Sequence, residues 1–263
     1  MLPSDDLRFQ SAMRLIDNAE YAEALRHLDP LEGQLSPEDH AAALYWKARC
    51  FDLLGEERQA RAAVDEGLEQ AGVSNPLRIC LQLESAALLR VEEGPERAVH
   101  EIRSLLDIYA KEMKAPDFQW IYAQMKQDLG KCLLLSGNYP EAAKELEDAL
   151  SLQDQPLPRY YIQFSLGDAW YFLGDLVKAK YHLEQALSEA RSAPKAGISS
   201  YYAARLRYEL ALIAYKQNQF DDAARELERA TAVEIQDTDL LRVVDRLGDL
   251  LGQARESDVL PGN

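Results

Sequence analysis

Apolar residues recur along this chain at intervals of three and four positions, which is the spacing of one face of an α-helix. In the segment after Phe118, the apolar face consists of Ile121, Tyr122, Met125, Leu129 and Leu133. No segment of any length shows the two-residue alternation that is typical of a half-buried β-strand. The order Ser36-Pro37-Glu38-Asp39, with a capping serine, a first-turn proline and acidic residues, is typical of a helix N-terminus. The pattern therefore predicts an all-α protein.

A pair of small residues twelve positions apart recurs six times, and an aliphatic residue follows each second member by four positions. The pairs are Ala12/Ala24, Ala48/Ala60, Ala86/Ala98, Gly130/Ala142, Gly167/Ala179 and Ala211/Ala223. Small side chains at a crossing let two antiparallel helices approach to roughly 8–10 Å. In five copies a glycine or a polar residue between the two members predicts a turn, as Gly137 does in the fourth copy. Repetition of this kind predicts a stacked array of helical hairpins.

The repeat predicts one elongated domain over residues 1–255, with no linker inside it. The unequal spacing of the copies predicts longer helices, at Pro95–Lys114 and Pro116–Ser136, or a longer loop, at Ser192–Ser200. We expect repeats near 5–35, 37–72, 76–114, 116–153, 157–192 and 199–234, a capping helix over 238–254 and a disordered tail over 256–263.

The fourth and fifth copies carry the pattern of a known repeat. It runs Leu129-Gly130, Leu133, Gly137, Tyr139, Ala142, Leu146, Ala149 in the fourth copy and Leu166-Gly167, Trp170, Gly174, Leu176, Ala179, Leu183, Ala186 in the fifth. This pattern resembles the tetratricopeptide repeat. The sixth copy resembles it nearly as well, and the first three are more degenerate, with Glu57 and Pro95 where an aromatic residue is usual. The resemblance implies a right-handed α-solenoid of about six helix-turn-helix repeats, whose concave surface usually binds an extended peptide or a partner helix.

The inner stripe of each first helix, displaced from its small residue, is the predicted binding surface. It holds Tyr161, Phe164, Asp168 and Tyr171 in the fifth copy, Arg205, Tyr208, Leu212 and Tyr215 in the sixth, Gln124, Gln127, Lys131 and Leu134 in the fourth, and Tyr45, Arg49 and Asp52 in the second. Aromatic residues and arginine are enriched at binding hot spots. For any one of these rings, packing between neighbouring copies is the alternative interpretation.

Family members that bind chaperone tails hold a terminal carboxylate with Lys, Asn and Arg at fixed inner positions. This chain has Gln127 with Lys131, and Arg205 with Glu209, in the corresponding region. The clamp is therefore not reproduced, and binding to heat-shock chaperone tails is not predicted.

The formal net charge of the 263 residues is −16, with a sequence pI near 4.7. This charge argues against a nucleic-acid or anionic-membrane surface, since both need a basic face. No apolar stretch approaches the length of a membrane span, and MLPSDDLRFQ lacks the features of a secretory signal. The three cysteines, Cys50, Cys80 and Cys132, have neither disulfide nor zinc spacing, so we expect buried free thiols and a reducing, cytoplasmic setting.

No recognisable catalytic motif, phosphate loop or metal-ligand spacing occurs in the chain. The histidines have no catalytic partner at a known spacing, and His27, His100 and His182 are expected at the surface beside charged residues. We therefore predict no enzyme activity, no metal and no cofactor. The first hypothesis is an adaptor that holds a partner's peptide or helix in the concave groove. The alternatives are a peptide- or ligand-responsive receptor and a structural subunit that self-associates.

Overall fold

The computed structural model describes residues 7–17, 20–29, 36–70, 72–192, 200–232 and 238–259. Within these ranges the chain forms helices and turns and contains no β-strand. The helices are α1 (Leu7–Asp17), α2 (Tyr21–Leu28), α3 (Pro37–Leu54), α4 (Glu57–Glu69), α5 (Asn75–Glu92), α6 (Pro95–Ile108), α7 (Gln119–Leu135), α8 (Tyr139–Ser151), α9 (Pro156–Phe172), α10 (Leu176–Ser192), α11 (Ser200–Lys216), α12 (Phe220–Thr231) and α13 (Thr238–Val259). The architecture is an all-α solenoid, as predicted.

The small residues lie where the two helices of each hairpin cross, and all twelve are buried. A Cβ atom added to Gly130 would lie 2.6 Å from Cγ of Leu146, and one added to Gly167 would lie 2.5 Å from Cδ2 of Leu183. Real carbon contacts of this kind are near 3.5–4.0 Å. The two glycines therefore permit a close approach that a side chain would prevent, which confirms the reason for the twelve-residue pairs.

In four of the described hairpins a residue with positive φ follows the end of the first helix. This residue is Gly55, Gly137 or Gly174 in three copies, with φ of 75°, 78° and 82°. In the sixth copy it is Asn218, with φ 58°. Asparagine tolerates this left-handed conformation better than most residues with a side chain. The predicted breaker positions are therefore the helix ends.

Ser36 caps the start of α3, as its sequence predicts, because its hydroxyl accepts a hydrogen bond from the Asp39 amide at 3.2 Å. The neighbouring Glu38 carboxylate accepts two hydrogen bonds from Ser74, one from its amide at 2.7 Å and one from its hydroxyl at 2.5 Å. Ser74 directly precedes α5. The N-termini of α3 and α5, the first helices of the second and third hairpins, are thus linked by hydrogen bonds.

Two predicted helix bounds are wrong, and α13 extends into the predicted tail. The chain leaves α6 at Ile108, not at Lys114, and two 3₁₀ turns (Glu112–Lys114 and Pro116–Phe118) precede α7. Pro116 favours the extended backbone seen at Ala115, which ends any helix before it. At the other end α13 continues to Val259, since no proline or glycine follows Gly252 before Pro261. The loop expected at Ser192–Ser200 lies, apart from its two end residues, outside the described residues, as does 260–263.

The first helices line one side of the array, where α3, α5, α7 and α9 pack against one another in succession and α11 packs against α13. The helices α9 and α11 approach each other less closely than these pairs. The helix between them in sequence, α10, has 17 residues, whereas the corresponding second helices α4 and α8 have 13 residues each. None of the described helices is long and apolar enough to cross a membrane.

Candidate binding groove

The inner stripe of the second and third copies is filled by the protein's own ion pairs. Arg49 of α3 donates to Glu84 of α5 at 3.1 Å, and Arg90 of α5 donates to Asp52 of α3 at 2.7 Å. The Glu84 side chain is 2% exposed, and its burial raises its pKa while the Arg49 charge opposes that rise. Tyr45 packs beside this pair and is buried. Of the predicted contact residues here, Tyr45 is enclosed and Arg49 is engaged internally.

The fourth copy is also largely closed. Gln127 is 3% exposed, so this predicted contact residue does not reach the groove surface. Lys131 is half-buried, with its ammonium 5.8 Å from the ring centroid of Tyr161. Burial lowers the pKa of Lys131, and the nearby Asp128 carboxylate acts in the opposite sense.

Tyr161 of α9 is in contact with a residue of the first hairpin, which its sequence spacing does not predict. Burial raises its pKa, and a hydrogen bond with Tyr21 at the start of α2 contributes to the rise. The first hairpin therefore reaches the inner face of α9 and covers part of it. Phe164, one turn further along α9, is buried beneath the guanidinium of Arg205, which lies 4.9 Å from the ring centroid.

A pocket of about 200 Å³ lies between α9 and α11, where the two helices are furthest apart among the neighbours described above. Its inner-stripe lining comprises Asp168, Tyr171, Arg205, Tyr208 and Leu212, all predicted from the sequence. Of these, Asp168, Tyr171, Arg205 and Tyr208 are partly exposed. Tyr215 lies outside this lining and packs against the ring of Phe220 at 5.8 Å between centroids. The structure thus brings together the predicted residues of the fifth and sixth copies.

The pocket is lined by two acidic side chains, Asp168 and Glu209, and by one basic side chain, Arg205. Arg205 donates from Nε to Glu209 at 3.1 Å, and its Nη2 lies 3.8 Å from the Asp168 carboxylate. The Asp168 and Glu209 carboxyl groups also interact with each other. Burial raises the pKa of both Asp168 and Glu209, and their mutual repulsion raises that of Glu209 further. The pair therefore tends to hold a proton that isolated carboxylates would release.

Glu209 and Phe172 line the pocket but are not among the predicted contact residues, although Glu209 appears beside Arg205 in the comparison with the carboxylate clamp. Phe172 is 56% exposed at the rim of the pocket and stacks on Tyr139 of the preceding repeat, with ring centroids 4.8 Å apart. Both residues lie next to inner-stripe positions on their helices, one beside Tyr208 and the other beside Tyr171. A prediction that also took the positions adjacent to the inner stripe would include both residues.

His182 is buried and not at the surface, so its predicted exposure is wrong. Its Nδ1 atom lies 2.7 Å from Oε1 of Gln163, which α9 presents to α10. Burial lowers the pKa of this imidazole, and the Lys178 charge lowers it further. The ring is therefore part of the hairpin interface.

The cysteines are free and buried, as predicted. Burial raises the pKa of each of the three thiols to about 12. Across the described ranges, no group of three or more His, Cys, Asp or Glu residues is placed to hold a metal ion.

Comparison with solved structures gives the same fold. PilF of Pseudomonas aeruginosa matches with a TM-score of 0.59 and 20% identity, over 84% of this chain and 87% of that one. PilW, a widely conserved type IV pilus biogenesis factor, matches with a TM-score of 0.61 and 16% identity, over 90% and 97%. BtubC from P. vanneervenii matches with a TM-score of 0.61 and 16% identity, over 98% and 96%. At these identities the likeness concerns the fold.

No curated protein matches the chain by sequence. The tetratricopeptide repeat family model matches residues 9–75, 128–196 and 208–240, which is more than half of the chain. Proteins of this family are generally non-catalytic scaffolds for protein interactions, which supports a general protein-binding role here. The chain belongs to the tetratricopeptide repeat family.

Proposed function

We propose that this protein is a non-enzymatic adaptor that holds a peptide or helix of a partner protein in its inner groove. The binding surface is the stretch between α9 and α11 and not the whole inner face. The observation that carries the proposal is the 200 Å³ pocket there, with its partly exposed tyrosines, Tyr171 and Tyr208. Tyrosine offers a rigid apolar ring and a polar tip, which suits a recognition surface.

The rest of the inner face differs from this pocket, and the difference supports the placement of the binding surface between α9 and α11. Between α3 and α5 the equivalent side chains pair with each other, as Arg49 does with Glu84 and Asp52 with Arg90. A ligand at that point would have to break a buried ion pair and leave a charge without its partner, which costs about 3–5 kcal/mol. Between α9 and α11 the corresponding contact is the longer 3.8 Å approach of Arg205 to Asp168, and the Arg205 side chain is 40% exposed.

A substitution pair tests the proposal. Affinity purification from the source cells, followed by mass spectrometry, would compare the wild type with Tyr171→Ala/Tyr208→Ala. We expect the wild type to retrieve a partner that the double variant loses, because both rings line the pocket. Tyr181→Ala is the matched control, since Tyr181 is 55% exposed on the second helix α10 and outside the pocket lining.

Retention of the partner by the double variant would contradict the groove proposal. Loss of the partner by Tyr181→Ala as well would point to general loss of tyrosine surface and count against the pocket. The receptor and self-association hypotheses stay predictions. Small-angle scattering with and without partner peptide addresses the first, and light scattering over a range of concentrations addresses the second.

A further inference from the structure

The pocket between α9 and α11 contains two carboxyl groups at a position that elsewhere in the array contains an ion pair. In the second and third copies, Arg49 follows the small residue of α3 by one position, and its partner Glu84 precedes the small residue of α5 by two. The equivalent residues in the fifth and sixth copies are Asp168 and Glu209. Successive first helices therefore face each other in the same register, but here the cation is replaced by an acid.

Arg205 compensates for only part of the resulting negative charge. Its Nε bonds one oxygen of Glu209, and its Nη2 lies 3.8 Å from Asp168. The other oxygen of Glu209, Oε2, is fully buried and has no hydrogen-bond partner among the residues that the structure describes. When the pair is ionised, this oxygen is a buried acceptor without a donor, and a group that brings a donor removes that penalty.

The walls of the pocket indicate the shape of that group. Tyr171, Tyr208 and Leu212 line it together with the two acids. Aromatic and aliphatic walls suit an alkyl stem. Lysine and arginine side chains have this combination of an apolar stem and a positively charged donor head.

We propose that the pocket between α9 and α11 recognises a lysine or arginine side chain of the partner peptide, seated between Asp168 and Glu209. This inference rests on the proposed function of the groove. It also explains why the acidic pair is placed there, since the incoming cation supplies the charge that Arg49 supplies in the equivalent ion pair. The overall charge of −16 favours the approach of a basic segment.

Binding is expected to release the proton held by the two acids, because a cation stabilises both in the ionised form. Affinity should then rise as pH rises through the titration of the pair. The other charged groups around the pocket are Arg205, Lys216 over the Tyr171 ring at 4.3 Å, and Arg246 of α13 beside Tyr208. All three are basic side chains.

The test uses capped nonapeptide sublibraries, each with one fixed central residue and mixed residues elsewhere, measured by fluorescence anisotropy. The wild type should bind the lysine and arginine sublibraries roughly tenfold more tightly than the glutamine sublibrary, the effect of one charge-assisted hydrogen bond. Asp168→Asn/Glu209→Gln should abolish this preference and its pH dependence. Glu228→Gln, which removes one negative charge at an exposed site on α12, should keep both.

Equal binding of the lysine, arginine and glutamine sublibraries by the wild type would overturn the inference. So would a preference that survives in Asp168→Asn/Glu209→Gln. Peptide binding without a basic preference that is nevertheless lost in Tyr171→Ala/Tyr208→Ala would overturn the inference and leave the groove function standing. Circular dichroism at 222 nm identifies any variant that fails to fold, and Glu209→Gln alone then replaces the double variant.

Discussion

Replacing Gly167 by alanine should destabilise the fifth hairpin although alanine is the better helix former. The added Cβ would lie 2.5 Å from Cδ2 and 2.7 Å from Cγ of Leu183. Leu183 is buried, and its Cγ atom can move away only by a change of χ1 or by separation of α9 from α10. Overpacking of this kind costs about 1–3 kcal/mol, whereas the gain in helix propensity is about 1 kcal/mol. Because the overlap involves Cγ and not only a terminal methyl, we expect a net loss of about 1–2 kcal/mol.

Chemical denaturation followed by circular dichroism measures this change. Gly252→Ala is the control, because a Cβ added there would meet no described atom within 4 Å, so only the propensity gain of up to about 1 kcal/mol should be seen. In a Leu183→Ala background the overlap is absent, and Gly167→Ala should become stabilising. A Gly167→Ala protein as stable as the wild type would refute the close-approach explanation of the twelve-residue pairs.

Three further outcomes are expected. Asn218→Ala should lower the free energy of unfolding by about 1 kcal/mol in denaturation experiments, because an ordinary side chain is strained at the positive φ of this turn, and Asn218→Gly should not. Arg49→Met should cost about 3–5 kcal/mol in the same assay, because it leaves the Glu84 carboxylate buried without its cation. For Glu209, whose pKa is raised in the folded protein, stability should fall as pH rises through that pKa; Glu209→Gln should therefore gain stability over the wild type toward alkaline pH and lose that advantage toward acidic pH. A pH-independent difference between these two proteins, measured by thermal denaturation, would contradict the assignment of a shared proton.

The hairpins could be predicted from sequence because their determinants are local. Small residues twelve positions apart, a turn residue such as Gly137 and a cap such as Ser36 all act within one repeat, where the helical period fixes which side chains face each other. The predicted bounds are wrong in the segment around Pro116. There α6 ends at Ile108, and Pro116, which favours an extended residue before it, begins the second of two 3₁₀ turns that take up the extra length before α7.

Sequence spacing also identified the inner stripe, but it did not indicate which of its members are accessible. Tyr45, Gln127, Phe164 and Tyr208 all precede the small residue of their helix by three positions. The first three are buried and Tyr208 is partly exposed. Spacing places a residue on a face of its helix, whereas its exposure depends on how closely the next first helix packs, which is a property of the repeat stack.

The sequence by itself determined the repeating hairpin, because the close contacts that define it join residues at most sixteen positions apart on two adjoining helices. Only the tertiary structure decided where the array stays open. The ion pairs across α3 and α5 close one part of the inner face, Tyr21 covers the inner side of α9 near Tyr161, and the wider separation of α9 from α11 leaves a pocket. Each of these depends on contacts between residues more than thirty positions apart, whose distance is set by the accumulated packing of the helices between them.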